Sequence, residues 1–313
     1  MSKAEEQRNK EIVTRFVEAT NKGTFDVLDE LVVEDYKENE PIPGQGPGRE
    51  ELKKAYRTFN TPFPDLEFVF ADVIAEDDLV VGRGIISGTH KGEFFGVPPS
   101  GKKVHWTGTR LFRLRDGKIT EGWVNLDMMG LMQQMGVVPT PPAGPAQPPA
   151  KHLTGKPSTR EANKALMRRF IEEVWNKGRT AVAEEIFHPE ATSPSAPTLP
   201  PGAAGVNFIV TTFRNAFPDY HMEITHLVAE DDRVAARFWQ SGTHKGDLMG
   251  IPPTGKHAAW SEIGILRIAD GKVVESWYDV DMLGMMGQLG IGGSGGGNAS
   301  GEATTPEPAG ARG

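Results

Sequence analysis

SGTHKGEFFGVPPSGK, residues 87–102, recurs as SGTHKGDLMGIPPTGK at residues 241–256. Working outward from this pair, residues 63–136 lie on residues 217–290 without a gap, and 33 of those 74 positions are identical. FPDLE (63–67) answers FPDYH (217–221), AEDD (75–78) answers AEDD (229–232), and WVNLDMMG (123–130) answers WYDVDMLG (277–284). Solenoid units run to about 20–50 residues, and this one is longer. It is a whole small domain, duplicated and fused, so the fold of one copy is the fold of both.

Composition agrees with two soluble globular domains. In a chain of 313 residues each copy is long enough to close one hydrophobic core. A net charge of −8 gives no electrostatic reason to expect nucleic acid or an anionic membrane as a partner. The absence of cysteine removes disulfides, thiolate metal sites and thiol nucleophiles. The polar start MSKAEEQRNK shows no signal peptide, and no apolar run approaches the roughly 18 residues of a membrane span. A cytoplasmic protein is the expectation.

The proline-dense run VVPTPPAGPAQPPA (137–150) reads as an extended linker of polyproline type, and the glycine-rich C-terminus as a disordered tail. The expected organisation is domain one over 5–137, a linker over 138–157, domain two over 158–291 and the tail over 292–313. Ile12, Phe16 and Ala19 mark an amphipathic helix ended by Asn21-Lys22-Gly23, and Leu166, Phe170 and Val174 repeat it before Asn176-Lys177-Gly178. Thr24 is a candidate cap for a second short helix, and a third runs from Glu50 to Asn60. From FPD onward the pattern turns to strands: Leu66–Ala75, Leu79–Thr89, Val104–Leu114 and, after the Asp116-Gly117 hairpin turn, Ile119–Leu126. Three helices followed by about four antiparallel strands make an α+β domain whose curved sheet wraps the helices around a conical cavity.

FPDLE, SGTHKGEFFGVPPSGK, FRLRDGKITEGW, Asp127 and QQMG together resemble the SnoaL-like polyketide cyclase and ester cyclase family of the nuclear transport factor 2-like superfamily. The resemblance covers nearly all of both copies. It implies two tandem cones, each with an apolar pocket for a small hydrophobic carbonyl compound, and cofactor-free acid/base chemistry such as aldol cyclisation or isomerisation. It also implies acid/base roles for Asp127 and Asp281, which fall where such cyclases carry their aspartate. Family members usually show a histidine near Asn39, so this chain offers an amide at a substrate-binding position. Two cones of this kind are expected to pack as an intramolecular pseudo-dimer, leaving a monomer in solution.

The residues themselves leave alternatives open. Trp123, Asn125 and Asp127 are spaced by two and share one face of the last strand, as do Trp277, Asp279 and Asp281. If that face looks into the cone, each cavity gains an indole wall and a desolvated carboxyl. Each aspartate also directly precedes a terminal helix and could serve as its N-cap. His90 and His244 could polarise a carbonyl or brace the loop they open. Arg83 and Arg237 could anchor a substrate or sit in rim salt bridges. Trp106 and Trp260 read as core or pocket wall. Copy two carries Asp279, Glu262 and Gln240 where copy one has Asn125, Gly108 and Ile86, so the pockets differ. Two rival readings stand beside the cyclase: an epoxide hydrolase with a water held by Asp279 and Asp281, and a non-catalytic small-molecule binder. No metal site is legible.

Overall fold

In the computed structural model, residues 1–139, 153–156 and 158–291 are described. Most of the expected linker, and the whole of the expected tail, lie outside them. The chain divides into two compact units, the first holding helices and strands up to residue 135 and the second those from residue 160 to residue 280.

The first unit opens with α1 (Lys3–Asn21), which buries Ile12, Val13, Phe16 and Ala19 on one face. Ser2 and Glu5 close a capping box at its start. Gly23 then takes φ +68°, a left-handed turn that a side chain would resist. Thr24 makes no side-chain cap; its hydroxyl donates back to the Ala19 carbonyl instead. The short α2 (Leu28–Leu31) leads into β1 (Val32–Glu38), followed by α3 (Arg49–Asn60). The meander is β2 (Glu67–Glu76), β3 (Leu79–Thr89), β4 (Lys103–Arg115) and β5 (Lys118–Leu126), and α4 (Met128–Met135) closes the unit.

The sheet order is β1-β5-β4-β3-β2, antiparallel except that β1 runs parallel to β5. The sheet therefore has five strands and is mixed, where the sequence pattern suggested about four antiparallel ones. The strand that pattern missed is β1. Its VVEDYKE has a broken burial alternation and four charged residues, three exposed and one half-buried, so it lacks the period-two signal. Asp116 (φ 51°) and Gly117 (φ 73°) form the left-handed pair that the β4–β5 hairpin needs.

The second unit repeats this plan. It comprises α5 (Arg160–Arg169), a π-helical turn over Phe170–Asn176, α6 (Ala183–Ile186), β6 (Phe187–Thr192), α7 (Ala203–Ala216), β7 (His221–Glu230), β8 (Arg233–Thr243), β9 (His257–Ala269) and β10 (Lys272–Val280), and α8 (Met282–Leu289) follows β10 in the chain. Its sheet runs β6-β10-β9-β8-β7, with β6 parallel to β10. No described helix is long and apolar enough to cross a membrane.

The motifs that the copies share most closely are scaffold. Asp65 of the first FPD accepts hydrogen bonds from the Thr89 backbone (2.6 Å) and hydroxyl (2.7 Å), and Asp219 does the same for Thr243 (2.7 and 2.7 Å). Phe63 lies under His90 and Phe217 under His244, each with ring centroids 5.3 Å apart. Phe94 and Leu248 are buried, so the Gly/Pro loop is packed down rather than free to swing.

Candidate active site

β1 brings Tyr36 and Glu38 to the inner face of the first sheet, two residues apart and so on one side of the strand. From the middle of β4, Arg110 joins them on the face that also carries Trp106, Gly108 and Phe112. From α3 comes Tyr56. The guanidinium of Arg110 donates to the Tyr36 hydroxyl (2.8 Å), to the Tyr56 hydroxyl (2.9 Å) and to Oε2 of Glu38. The Tyr36 hydroxyl in turn donates to Oε2 of Glu38 at 3.0 Å. Around the cation stand the rings of Phe112 (5.3 Å to centroid), Tyr56 (5.8 Å) and Phe16 (5.9 Å), whose faces attract positive charge.

Gly122 makes room for this cluster. A Cβ there would collide with the Tyr36 hydroxyl and come within 3.1 Å of Arg110 Nη2. The side chains of Arg110 and Glu38 are 13% and 6% exposed, so solvent screens their pairing little. Burial pushes the Glu38 carboxyl up to about 7, with Glu40 adding to the rise and Arg110 pulling against it. The same burial raises the Tyr56 hydroxyl, so it is a neutral donor at ordinary pH.

Beside the cluster lies a cavity of about 140 Å³. Glu38, Arg110 and Tyr56 sit on its wall; Phe59, Phe68, Phe70 and Trp106 give it an aromatic lining. The space holds one small ring and is open on one side, so a larger ring system can enter it in part. Because Tyr56 accepts from Arg110, its own hydroxyl proton is available to an acceptor in the cavity. A carboxyl raised to about 7 and a hydroxyl donor thus face one apolar chamber.

The residues singled out by sequence fall elsewhere, Trp106 and Trp260 excepted. From β5 the cavity takes Val124 and Leu126, so Trp123 and Asn125 project to the other side, and Asp127 follows the last residue of the strand. Trp123 and Asn125 do share a face, but it is not the face that looks into the cone. Asp127 caps α4, its Oδ1 accepting the Gly130 backbone N–H at 2.8 Å. His90 is fully buried and takes the Ser100 backbone N–H on Nδ1 (3.2 Å); burial lowers its pKa. His244 takes Thr254 N–H in the same way (3.2 Å), so both histidines brace a loop. Arg83 pairs with Asp72 (2.7 Å) across the β2–β3 edge. Arg237 donates to Thr225 Oγ1 (3.2 Å) and lies over Trp239. Asn39 ties β1 to β5 through Glu121 (3.1 Å) and the Gly122 carbonyl (3.0 Å). Of that set, Trp106 alone lines the first cavity.

The second cone differs. Its inner positions are filled by bulkier groups: Trp175, Tyr220 and Tyr278 stand where the first copy has Thr20, Leu66 and Val124. Trp175 and Tyr220 pack 5.4 Å apart, and Trp260 touches Phe217 (5.5 Å) and Tyr220 (6.3 Å). Trp260 is therefore core of the cone. Tyr278 corresponds to Val124, so Trp277 and Asp279 occupy the same outer face of the last strand as Trp123 and Asn125. Asp281 directly precedes α8, as Asp127 precedes α4. With Asp279 turned off the inner face, the two-aspartate water site of the epoxide hydrolase reading is not assembled in the cone.

Glu38, Arg110, Tyr36 and Tyr56 went unread for a common reason. They lie where the copies diverge, with Gly264, Val210 and Ala191 opposite Arg110, Tyr56 and Tyr36. A charged residue two positions from Gly108 and Phe112 on an otherwise apolar strand face was the available signal.

A model of the SnoaL-like polyketide cyclase family matches residues 10–135 and 165–289. Aklanonic acid methyl ester cyclase DnrD of Streptomyces peucetius is 33% identical over 129 residues, covering 40% of this chain and 88% of that protein. Nogalonic acid methyl ester cyclase of Streptomyces nogalater is 29% identical over 124 residues, covering 37% and 89%. Among solved structures, TsrD from Streptomyces laurentii is 26% identical, covers 44% of this chain and 99% of its own, and has a TM-score of 0.40.

Proposed function

Because the chain belongs to the SnoaL-like polyketide cyclase family, we propose that its first repeat is a cofactor-free cyclase site for a small hydrophobic carbonyl compound, with Glu38 moving the proton. The observation that carries this reading is a carboxyl titrating near 7 on the wall of an apolar cavity, beside a hydroxyl donor. A general acid/base works best with its pKa near the working pH.

In the ionised form Glu38 removes a proton from the carbon α to a substrate carbonyl. The enolate oxygen is stabilised by the Tyr56 hydroxyl, which Arg110 polarises. Carbon–carbon bond formation onto a second carbonyl leaves an alkoxide, and the proton held by Glu38 returns to that oxygen. No redox change occurs, and the carboxylate is regenerated. Tyr36 does not line the cavity; it positions the Glu38 carboxylate by donating to it.

Two of these relatives are named for the cyclisation of methyl esters, aklanonic and nogalonic. Aklanonic acid methyl ester is therefore the first substrate to offer the full chain. Cyclisation is expected, and Glu38→Gln is expected to slow it by roughly a hundredfold or more. A folded Glu38→Gln protein with unchanged turnover overturns the assignment. Asp127 and Asp281 become helix-leading residues in this reading, and the second repeat is not the cyclase centre. The pairing of the repeats as a pseudo-dimer belongs to the same proposal; a monomer mass by light scattering supports it and a dimer counts against it.

A further inference from the structure

Several polar side chains on the wall of the first cavity are committed to protein partners. The Asn21 amide holds both backbone groups of Phe68 (2.8 and 2.9 Å), and the Asn60 NH₂ donates to the Thr20 carbonyl (3.2 Å). The Thr20 hydroxyl donates to the Val17 carbonyl (2.9 Å), and Arg110 is engaged with Tyr36, Tyr56 and Glu38. Gln45 differs. It lines the same cavity from the loop between β1 and α3, and only its oxygen is engaged.

A turn fixes that side chain. Ile42-Pro43-Gly44-Gln45 closes through the Gln45 backbone N–H on the Ile42 carbonyl at 2.9 Å, with Gly44 at φ +81°. Proline followed by a left-handed glycine is the corner that a type II turn calls for. Gln45 Oε1 then accepts the Ile42 backbone N–H at 3.1 Å. With the oxygen held there, the NH₂ is the group the amide has left to offer a ligand. It has no acceptor among the described residues and is open to solvent.

The second repeat has the turn without the amide. Leu199 stands four residues before α7, as Gln45 stands four before α3, and its N–H donates to the Ala196 carbonyl at 3.0 Å. This is the copy in which Gly264 takes the place of Arg110. The turn therefore closes without a glutamine, and the amide goes with the cavity.

We propose that Gln45 binds the second carbonyl of the substrate, the one attacked in ring closure, and donates a hydrogen bond to its oxygen as that oxygen becomes an alkoxide. The inference rests on the first cavity being the cyclase site. Ring closure there charges two oxygens in turn, the enolate and then the alkoxide. Tyr56 has one hydroxyl proton and serves one of them. A second donor, fixed in place before the charge develops, lowers the barrier to forming the other. No proton leaves the amide; the alkoxide still takes its proton from Glu38.

Two variants of the full chain separate the amide from the turn. Gln45→Glu keeps an oxygen for the Ile42 N–H but, ionised near pH 8, has no proton to donate. Gln45→Leu installs the residue that the second repeat uses in its own turn. The test measures kcat and KM for cyclisation of aklanonic acid methyl ester near pH 8, with melting curves and with Glu38→Gln alongside. Both Gln45 variants are expected to lose about tenfold or more in kcat, with KM changed by about threefold or less and melting close to wild type. Unchanged kcat in either variant, or a loss confined to KM, overturns the proposal. Normal turnover by Glu38→Gln beside slow Gln45 variants removes Glu38 as proton carrier and leaves Gln45 standing. Slow Glu38→Gln beside normal Gln45 variants removes Gln45 alone.

Discussion

Asp127 and Glu38 are both carboxylates within reach of a cone, and their surroundings assign them opposite work. Asp127 accepts a backbone N–H at the start of α4, which is what an N-cap does. Asp127→Ala is expected to cost about 1 kcal/mol in denaturant unfolding while leaving kcat within twofold or so. Tyr56→Phe removes the hydroxyl donor without opening a cavity, and a loss of roughly tenfold to a hundredfold in kcat with little change in melting is expected. The sequence made Asp127 visible because it stands in a repeated motif beside a tryptophan. Glu38 was hidden because a strand with no alternation carries it, and because its partner Arg110 comes from residues more than seventy positions away.

At the scale of the element, the loop from His90 to Lys102 is held by side chains that the sequence displayed openly. Asp65, Thr89, His90, Phe63 and Ser100 form one set of contacts, and Asp219, Thr243, His244, Phe217 and Thr254 form its copy. Asp65→Ala removes both acceptors of Thr89 at once. Such a variant is expected to lose about 1–3 kcal/mol of stability and to speed hydrogen exchange at Lys91–Gly101, with a smaller effect on exchange in the second repeat. The helices and the four meander strands were legible from periodicity and turn residues. β1 was not, because it pairs parallel to β5 at the sheet edge and shows mostly charged residues to solvent. Repetition identified the frame of the domain; divergence between the copies marks where its chemistry lies.

At the scale of the whole molecule, each repeat holds one buried glutamate that titrates near 7 instead of 4.5. A carboxyl raised in the folded state binds more protons folded than unfolded between those values. Its contribution is therefore full below about pH 4.5 and lost as pH rises through about 7. Buried His90, lowered in the fold, works the opposite way in the same range, so the comparison is made against a variant. Glu262→Gln is expected to match wild type near pH 4.5, to exceed it increasingly as pH rises toward about 7, and to level off above that at up to about 3 kcal/mol, in urea unfolding at a series of pH values. The duplication has kept one fold twice and given its interiors different charge: a carboxyl–guanidinium pair in the first, a lone carboxyl in the second.

The most direct measurement is the pH dependence of kcat/KM for cyclisation of aklanonic acid methyl ester by wild type, Glu38→Gln and Asp127→Asn. Wild type and Asp127→Asn are expected to share a limb that rises through about pH 7, and Glu38→Gln to lose both that limb and most of the rate. A limb that survives in Glu38→Gln, or a rate that collapses in Asp127→Asn, would contradict Glu38 as the carrier of the proton.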